Sequence, residues 1–383
     1  MGHSSFIPYG RQIIDADDIQ AVVDVLKSDW LTTGPAVEKF ESAFAEFVTA
    51  PHAVAVSNGT AALHLAMAAA GVTEGVEVIV PAITFVATAN AARFLGAEVR
   101  FADIDPRTFL ISPESVRSLI SPRTKAIVAV DYAGMPCDYA ELRAIADEHG
   151  VTLIADACHA PGARYRGTSI GNVADLTAFS FHPVKHLTTG EGGMITTASP
   201  DMAAHMRALR SHGIATDFRQ RESAGTWTYD QVELGYNYRI SDINCALGLS
   251  QLHKQSAWIE RRRAIAAQYR TLLAHEERVT VQHEPQDRES SWHLFPVVLS
   301  VPDAEATRRK VFDTMRAAGI GVNVHYRPVY LNTYYTSLGY VEGLCPTAEL
   351  TYAGLLSLPM WPGLQDADIE RIVAELCTAL DNA

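Results

Sequence analysis

From about Ala50 onward, short apolar runs rich in β-branched residues alternate with stretches whose apolar positions recur at helical spacing. The runs are Ala53–Val56, Val76–Val80, Val99–Phe101, Ala126–Val130, Val151–Ala155, Leu176–Phe181 and Met194–Thr197. Between the early ones the spacing predicts helices over Thr60–Ala70, Thr84–Leu95, Pro113–Ile120 and Asp138–His149. Gly71, Gly96 and Gly150 close three of them, as expected for helix C-termini. Runs that are continuously apolar, with no polar alternation, belong to strands buried on both faces. The region from about Ala50 to Ser211 therefore reads as a three-layer, mostly parallel α/β sheet covered by helices.

The texture changes after that. Gly213–Gly235 is polar and irregular, and Ser241–Ala274 then predicts one long helix with Ser241 as N-cap and Asp242 in its first turn. Its Glu260-Arg261-Arg262-Arg263 cluster reads as a solvated face. Beyond it we expect a strand at Leu294–Ser300, a helix at Asp303–Ala318, a strand at Gly321–Tyr326, and helices near Thr347–Leu356 and Asp366–Leu380. The division is a large domain over 1–251 and a smaller C-terminal α+β domain over 252–383.

The chain has 383 residues, with 31 Lys plus Arg against 44 Asp plus Glu, a formal charge of −13. That balance argues against nucleic acid or an anionic membrane as partner, since both require clustered cations. The five cysteines (Cys137, Cys158, Cys245, Cys345, Cys377) are scattered and lack a Cys-x-x-Cys pair, which suits free thiols better than disulfides or structural zinc. The first ten residues lack a signal-peptide pattern, and the longest apolar stretch, Ala61–Val72, is interrupted by His64 and too short for a membrane span. The expected location is cytoplasmic.

Three segments could carry chemistry. In Ser180-Phe181-His182-Pro183-Val184-Lys185-His186, followed by a Gly-rich tail, a lysine stands directly after an apolar strand. Burial there would lower its pKa and free the amine for Schiff-base formation, though a surface-loop lysine is the plain alternative. His182 and His186 are four apart, but Pro183 disfavours a helix and no third ligand is evident, so no metal site is expected. Asp156 closes a fully apolar strand, where ligands bind in open α/β sheets; it could hold a ring nitrogen protonated, or simply cap the next turn. His159 could bond that carboxylate, lie against a ring, or pack in the core. Ser57-Asn58-Gly59-Thr60 before an Ala-rich helix offers a phosphate site at the helix N-terminus, or ordinary capping. A phosphate cradle, a ring-nitrogen carboxylate and a Schiff-base lysine at strand ends of one sheet are together what pyridoxal phosphate requires.

The chain also resembles the DegT/DnrJ/StrS sugar aminotransferases, pyridoxal-phosphate enzymes of fold type I, from about Ile7 to Ile372. The segments that carry the resemblance include Leu31-Thr32-Thr33-Gly34, Phe85–Asn90, Arg123–Val128, Asp131–Gly134, the Lys185 window, Arg210–Gly213, Ala246–Leu252 and Val324–Tyr330. Within the family it is most similar to the transaminases of pseudaminic acid biosynthesis, which aminate C4 of a UDP-linked 4-keto-6-deoxy-N-acetyl-hexosamine with L-glutamate as donor. The resemblance implies Lys185 as the Schiff-base residue, Asp156 on the pyridinium nitrogen, His159 beside the cofactor and Phe85 against its ring. It also implies Gly59, Thr60 and Ser180 at the phosphate, and Asn237 reaching the phosphate of the neighbouring subunit in a homodimer. Tyr9, Leu31, Thr32, His325 and Tyr326 match positions lining the nucleotide-sugar site. The alternatives are another nucleotide-sugar aminotransferase of this family or a non-catalytic regulatory protein that binds pyridoxal phosphate.

Overall fold

The seven apolar runs build one sheet. In the computed structural model, which describes residues 6–216 and 218–383, the strand order is His52–Val56, Gly193–Thr197, Leu176–Ser180, Thr152–Asp156, Thr124–Val130, Glu77–Pro81 and Glu98–Ala102. The pairings from Leu176–Ser180 through to Glu98–Ala102 are all parallel, and the two involving Gly193–Thr197 are antiparallel. The strands are buried because helices cover both faces, which explains why their sequences are apolar without alternation. The predicted helices appear as Gly59–Ala69, Val86–Phe94, Pro113–Leu119 and Tyr139–His149, the last closed by Gly150 in the left-handed region. The carboxyl ends of the parallel strands share one edge, and that edge holds the site.

Four features differ from the sequence reading. The long helix is two, Asp242–Leu252 and Gln255–Leu272. At the break, Lys254 turns to form ion pairs with Asp15 and Asp18 (2.6 and 2.8 Å). The first half packs on the helices Ala16–Leu26 and Pro35–Phe47, the second on Asp366–Asp381. Arg262 is not on a solvated face: it is 2% exposed and donates to the carbonyls of Trp292, His293 and Met360. Gly321–Tyr326 is not a strand: it makes a single bridge, from Asn323 to Ser357, and Asn323–Tyr326 line a cavity. The predicted helix near Thr347–Leu356 ends at Gly354, and Leu355–Leu358 is a strand, paired in a small antiparallel sheet with Phe295–Leu299, which also pairs Val279–Val281.

Among the described residues no helix is long and apolar enough to cross a membrane. All five cysteines are free.

Candidate active site

At the carboxyl edge of the sheet lies a cavity of about 780 Å3. Asp156 enters it as the last residue of its strand, 5% exposed. Its Oδ1 accepts from the Cys158 amide (3.2 Å), so the turn-capping reading is correct for one oxygen. Its Oδ2 accepts from the Thr88 hydroxyl (2.7 Å), which pairs in turn with the Thr84 hydroxyl (2.8 Å). Since Thr88 donates to the carboxylate, Thr84 must donate to Thr88, and the chain of hydroxyls ends on Asp156.

Lys185 sits on a tight turn, its amide donating to the His182 carbonyl (2.9 Å), and it lines the same cavity. Burial lowers its amine pKa, while Cys158 and Asp156 nearby oppose the shift. The fraction of neutral, nucleophilic amine rises accordingly. His159 is 5% exposed and its Nδ1 accepts from the Ala133 amide (3.2 Å), which places the ring proton on Nε2, beside the Tyr326 hydroxyl (3.3 Å). Burial, then Lys185, His325 and His186, hold its pKa well below the usual range, so it is neutral.

The phosphate-type cradle is the first turn of the helix Gly59–Ala69. Asn58 Oδ1 takes the Ala61 amide (2.8 Å) and the Asn58 carbonyl takes that of Ala62 (3.1 Å). The Ala62 bond is the first of the helix itself; of the amides ahead of it, that of Ala61 is taken by Asn58 and those of Gly59 and Thr60 are left for a ligand. A Cβ on Gly59 would lie 2.8 Å from Ser180 Cβ, so glycine is what lets this turn close on the serine. Phe85 caps the helix Val86–Phe94 with its ring 55% exposed inside the cavity, 6.0 Å from the Tyr326 ring. An apolar face left bare in a cavity suits a flat ring partner. These groups fit pyridoxal phosphate: amide donors for the phosphate, a carboxylate for the ring nitrogen, an aromatic face and a lysine.

Tyr9, His325 and Tyr326 form another part of the wall; the Tyr9 and His325 rings lie 5.5 Å apart. His325 Nδ1 meets the Ser357 hydroxyl (2.9 Å), and burial, helped by Lys185, pushes its pKa down to about 4. Leu31, Thr32 and Asn237 do not line this cavity. Thr32 bridges to Ser241, and Asn237, exposed, bridges to Ser211.

The sequence reading missed Thr84, Thr88, Cys158, Glu191, His293 and Asn323, which border the cavity too. Thr88 could have been found, being one helical turn beyond Phe85. His293 carries no local signal; it arrives because its amide and that of Ser291 bond the carbonyls of Ala133 and Gly134.

The sequence profile of the DegT/DnrJ/EryC1/StrS aminotransferase family matches residues 12–377. The chain belongs to that family. It is 38% identical to the spore coat polysaccharide biosynthesis protein SpsC of Bacillus subtilis, over 96% of this chain and 95% of SpsC. It superposes on the PMP form of Spr1654, a putative sugar aminotransferase from Streptococcus pneumoniae, with TM-score 0.94 and 31% identity, covering 98% of this chain and 99% of that one. Spr1654 is also solved in a PLP form, with TM-score 0.93. PseC of Helicobacter pylori, an aminotransferase involved in pseudaminic acid biosynthesis, matches with TM-score 0.92 and 30% identity over 99% of this chain and 100% of PseC. The family comprises pyridoxal-phosphate-dependent sugar aminotransferases, and the fold is that of type I enzymes of this cofactor.

Proposed function

We propose that this enzyme moves the amino group of L-glutamate to the C4 ketone of a UDP-linked 4-keto-6-deoxy-N-acetyl-hexosamine. The observation that carries the reading is one cavity bordered by Lys185, Asp156 and the Gly59–Thr60 turn, with room left beside Tyr9, His325 and Tyr326 for a sugar. Likeness to PseC along almost the full chain supports the pseudaminic-acid type of substrate. The higher identity to SpsC, 38% against 30%, favours a different nucleotide hexose as the second reading.

When bound, pyridoxal phosphate supplies the electron sink that makes the donor's α-hydrogen acidic. Asp156, held by Thr88 and the Cys158 amide, is placed to keep a ring nitrogen protonated. Gly59, Thr60 and Ser180 would hold the phosphate, Phe85 would offer its ring face to the cofactor, and His159, neutral, would stand at the same cavity. Lys185 would anchor the cofactor through its amine, and its Nζ, left as a neutral base when free, would take up the donor's α-proton and give it back as an acid. The wall of Tyr9, His325 and Tyr326 orients the sugar.

The working unit we infer is a homodimer. Asn237 is exposed, and the segment before it carries bare Trp227 (89% exposed) and Leu234 (84%), a surface suited to a second copy. In that dimer Asn237 reaches the partner's phosphate site, and Leu31 and Thr32 complete the sugar site. Sedimentation should give twice the chain mass.

Replacing Lys185 with Ala should abolish both turnover and the visible absorbance of the bound cofactor; an active Lys185→Ala protein would overturn the assignment. Incubating the enzyme with glutamate and a panel of UDP- and dTDP-4-keto sugars tests the substrate. Failure with every UDP sugar would remove the preferred reading.

A further inference from the structure

The direction of one proton at the cavity is set by the backbone. The turn Tyr132–Gly134 follows the strand Thr124–Val130 and reaches two cavity residues at once. Its Ala133 amide donates to His159 Nδ1 (3.2 Å), and its Tyr132 hydroxyl donates to the His325 carbonyl, next to Tyr326. An amide nitrogen only donates, so Nδ1 of the neutral His159 carries no proton and Nε2 carries it. That Nε2–H faces the Tyr326 oxygen at 3.3 Å. The phenol oxygen is therefore the acceptor of this pair, and its own O–H points elsewhere.

His159 is the only hydrogen-bond partner of the Tyr326 hydroxyl among the described residues. The Tyr326 ring is flanked on two sides, 6.1 Å from His159 at an angle of 28° and 6.0 Å from Phe85. Tyr326 lines the cavity, and Asp156, Tyr9 and Cys158, whose ionisable groups act on its hydroxyl, line it too. The unspent O–H is thus left for whatever the cavity holds. Burial, then those three groups, raises the pKa of the phenol, so it keeps its proton near neutral pH. Nor can His159 pass a proton forward, since the donor behind it is a backbone amide. Tyr326 gives a hydrogen bond here, not a proton.

We propose that Tyr326 is a fixed hydrogen-bond donor for an acceptor oxygen of the bound reactants, either the ring oxygen of the cofactor or the keto oxygen of a substrate, and that the Ala133 amide sets its direction through His159. Either oxygen gains from it. An amine adding to a ketone moves negative charge onto the ketone oxygen, and a donor already in place stabilises that charge without reorganising. An ionised ring oxygen is stabilised in the same way. His159 is then a positioning residue for the phenol. The identity of the acceptor rests on the cofactor and substrate reading given above; the direction of the O–H does not.

A neutron crystal structure of the cofactor-free protein reads the direction. Deuterium should appear on His159 Nε2 and not on Nδ1, with the Tyr326 O–D turned away from His159 into the cavity. Deuterium on Nδ1, or a phenol O–D aimed at His159, would overturn the proposal whatever the reaction proves to be. Tyr326→Phe then tests the acceptor in protein loaded with pyridoxal phosphate. If the acceptor is the ring oxygen, the pH midpoint of the visible absorbance should rise in the variant. If it is the keto oxygen, 2-oxoglutarate should bind about 2- to 12-fold more weakly, the worth of one neutral hydrogen bond, and the infrared band of its 13C-labelled ketone should move to higher frequency. Fluorotyrosine in place of Tyr326, a stronger donor of nearly the same shape, should move the same reading the opposite way, and it serves alone should Tyr326→Phe fail to fold. A midpoint, affinity and band all unchanged in a folded variant overturn the donor role. Absence of visible absorbance, or of 2-oxoglutarate binding, in the wild type would instead sink the Lys185 or the glutamate assignment and leave the neutron result standing.

Discussion

Replacing Thr88 with Val removes one hydroxyl and keeps the shape of the side chain. In the wild type that hydroxyl donates to Asp156 Oδ2 at 2.7 Å and accepts from Thr84 at 2.8 Å, and both threonines are essentially buried. A hydrogen bond to a charged group is worth about 1.5–3 kcal/mol, and an orphaned buried hydroxyl costs about 1–3 kcal/mol. Because both residues border the cavity, water can serve part of the lost demand, which places the expected loss at about 2–3 kcal/mol. Thr88→Ser keeps the hydroxyl and loses one methyl, a change of about 1 kcal/mol. Urea unfolding of the cofactor-free proteins should therefore rank wild type, Thr88→Ser and Thr88→Val in falling order. Saturating pyridoxal phosphate should narrow the gap for Thr88→Val, since a protonated ring nitrogen gives Asp156 a replacement partner. Identical midpoints for the Ser and Val variants would refute the idea that the hydroxyl supports the carboxylate.

Three further outcomes are expected. Gly59→Ala places a methyl 2.8 Å from Ser180 Cβ and 3.4 Å from Cys158 Sγ; a visible-absorbance titration should show weaker cofactor binding with the fold retained. Asp131 is fully buried, and burial raises its pKa to about 7 despite bonds from the Cys137 amide and the Tyr139 hydroxyl. The folded protein thus keeps a proton that the unfolded chain loses near pH 4, so this group's contribution is complete below about pH 4 and declines as pH rises to about 7. Asp131→Asn should flatten that decline in unfolding midpoints measured across the interval. Glu41 accepts from the Ala55 amide (2.9 Å) and pairs with Arg210 (2.7 Å) and Arg207 (3.3 Å); Glu41→Ala should cost about 3 kcal/mol by thermal or urea melting, since it strands a largely buried arginine.

Local patterning carried the fold far. The seven apolar runs became strands shifted by a residue or two, because burial on both faces imposes continuous hydrophobicity along a strand. What failed were choices made by distant partners. Nothing within Ser241–Ala274 announces a break at Lys254; its reason is Asp15 and Asp18, more than two hundred residues earlier. Arg262 looked solvated because a one-dimensional reading cannot see three carbonyls converging on it. The site behaved similarly. Asp156, Lys185 and Gly59 announce themselves at strand ends and a helix start. Thr88, His293 and Asn323 reach the same cavity by routes set only in three dimensions.

The strand His52–Val56 lies at the sheet edge, paired among the described residues with Gly193–Thr197 alone. The cradle at Gly59 and Thr60 therefore hangs from a strand whose partner lies some 140 residues downstream, an interval of roughly ten seconds of synthesis at ordinary rates. Asp156 and Lys185 are also translated before that partner. Every element that would contact the cofactor within one chain's sheet thus precedes the segment that holds the cradle in place. Cofactor capture is in this way a late event in the life of a nascent chain, one that rewards completion of the sheet rather than starting it. Until Gly193–Thr197 is made, the inner edge of that strand has no partner, and an unpaired apolar edge is a template for aggregation.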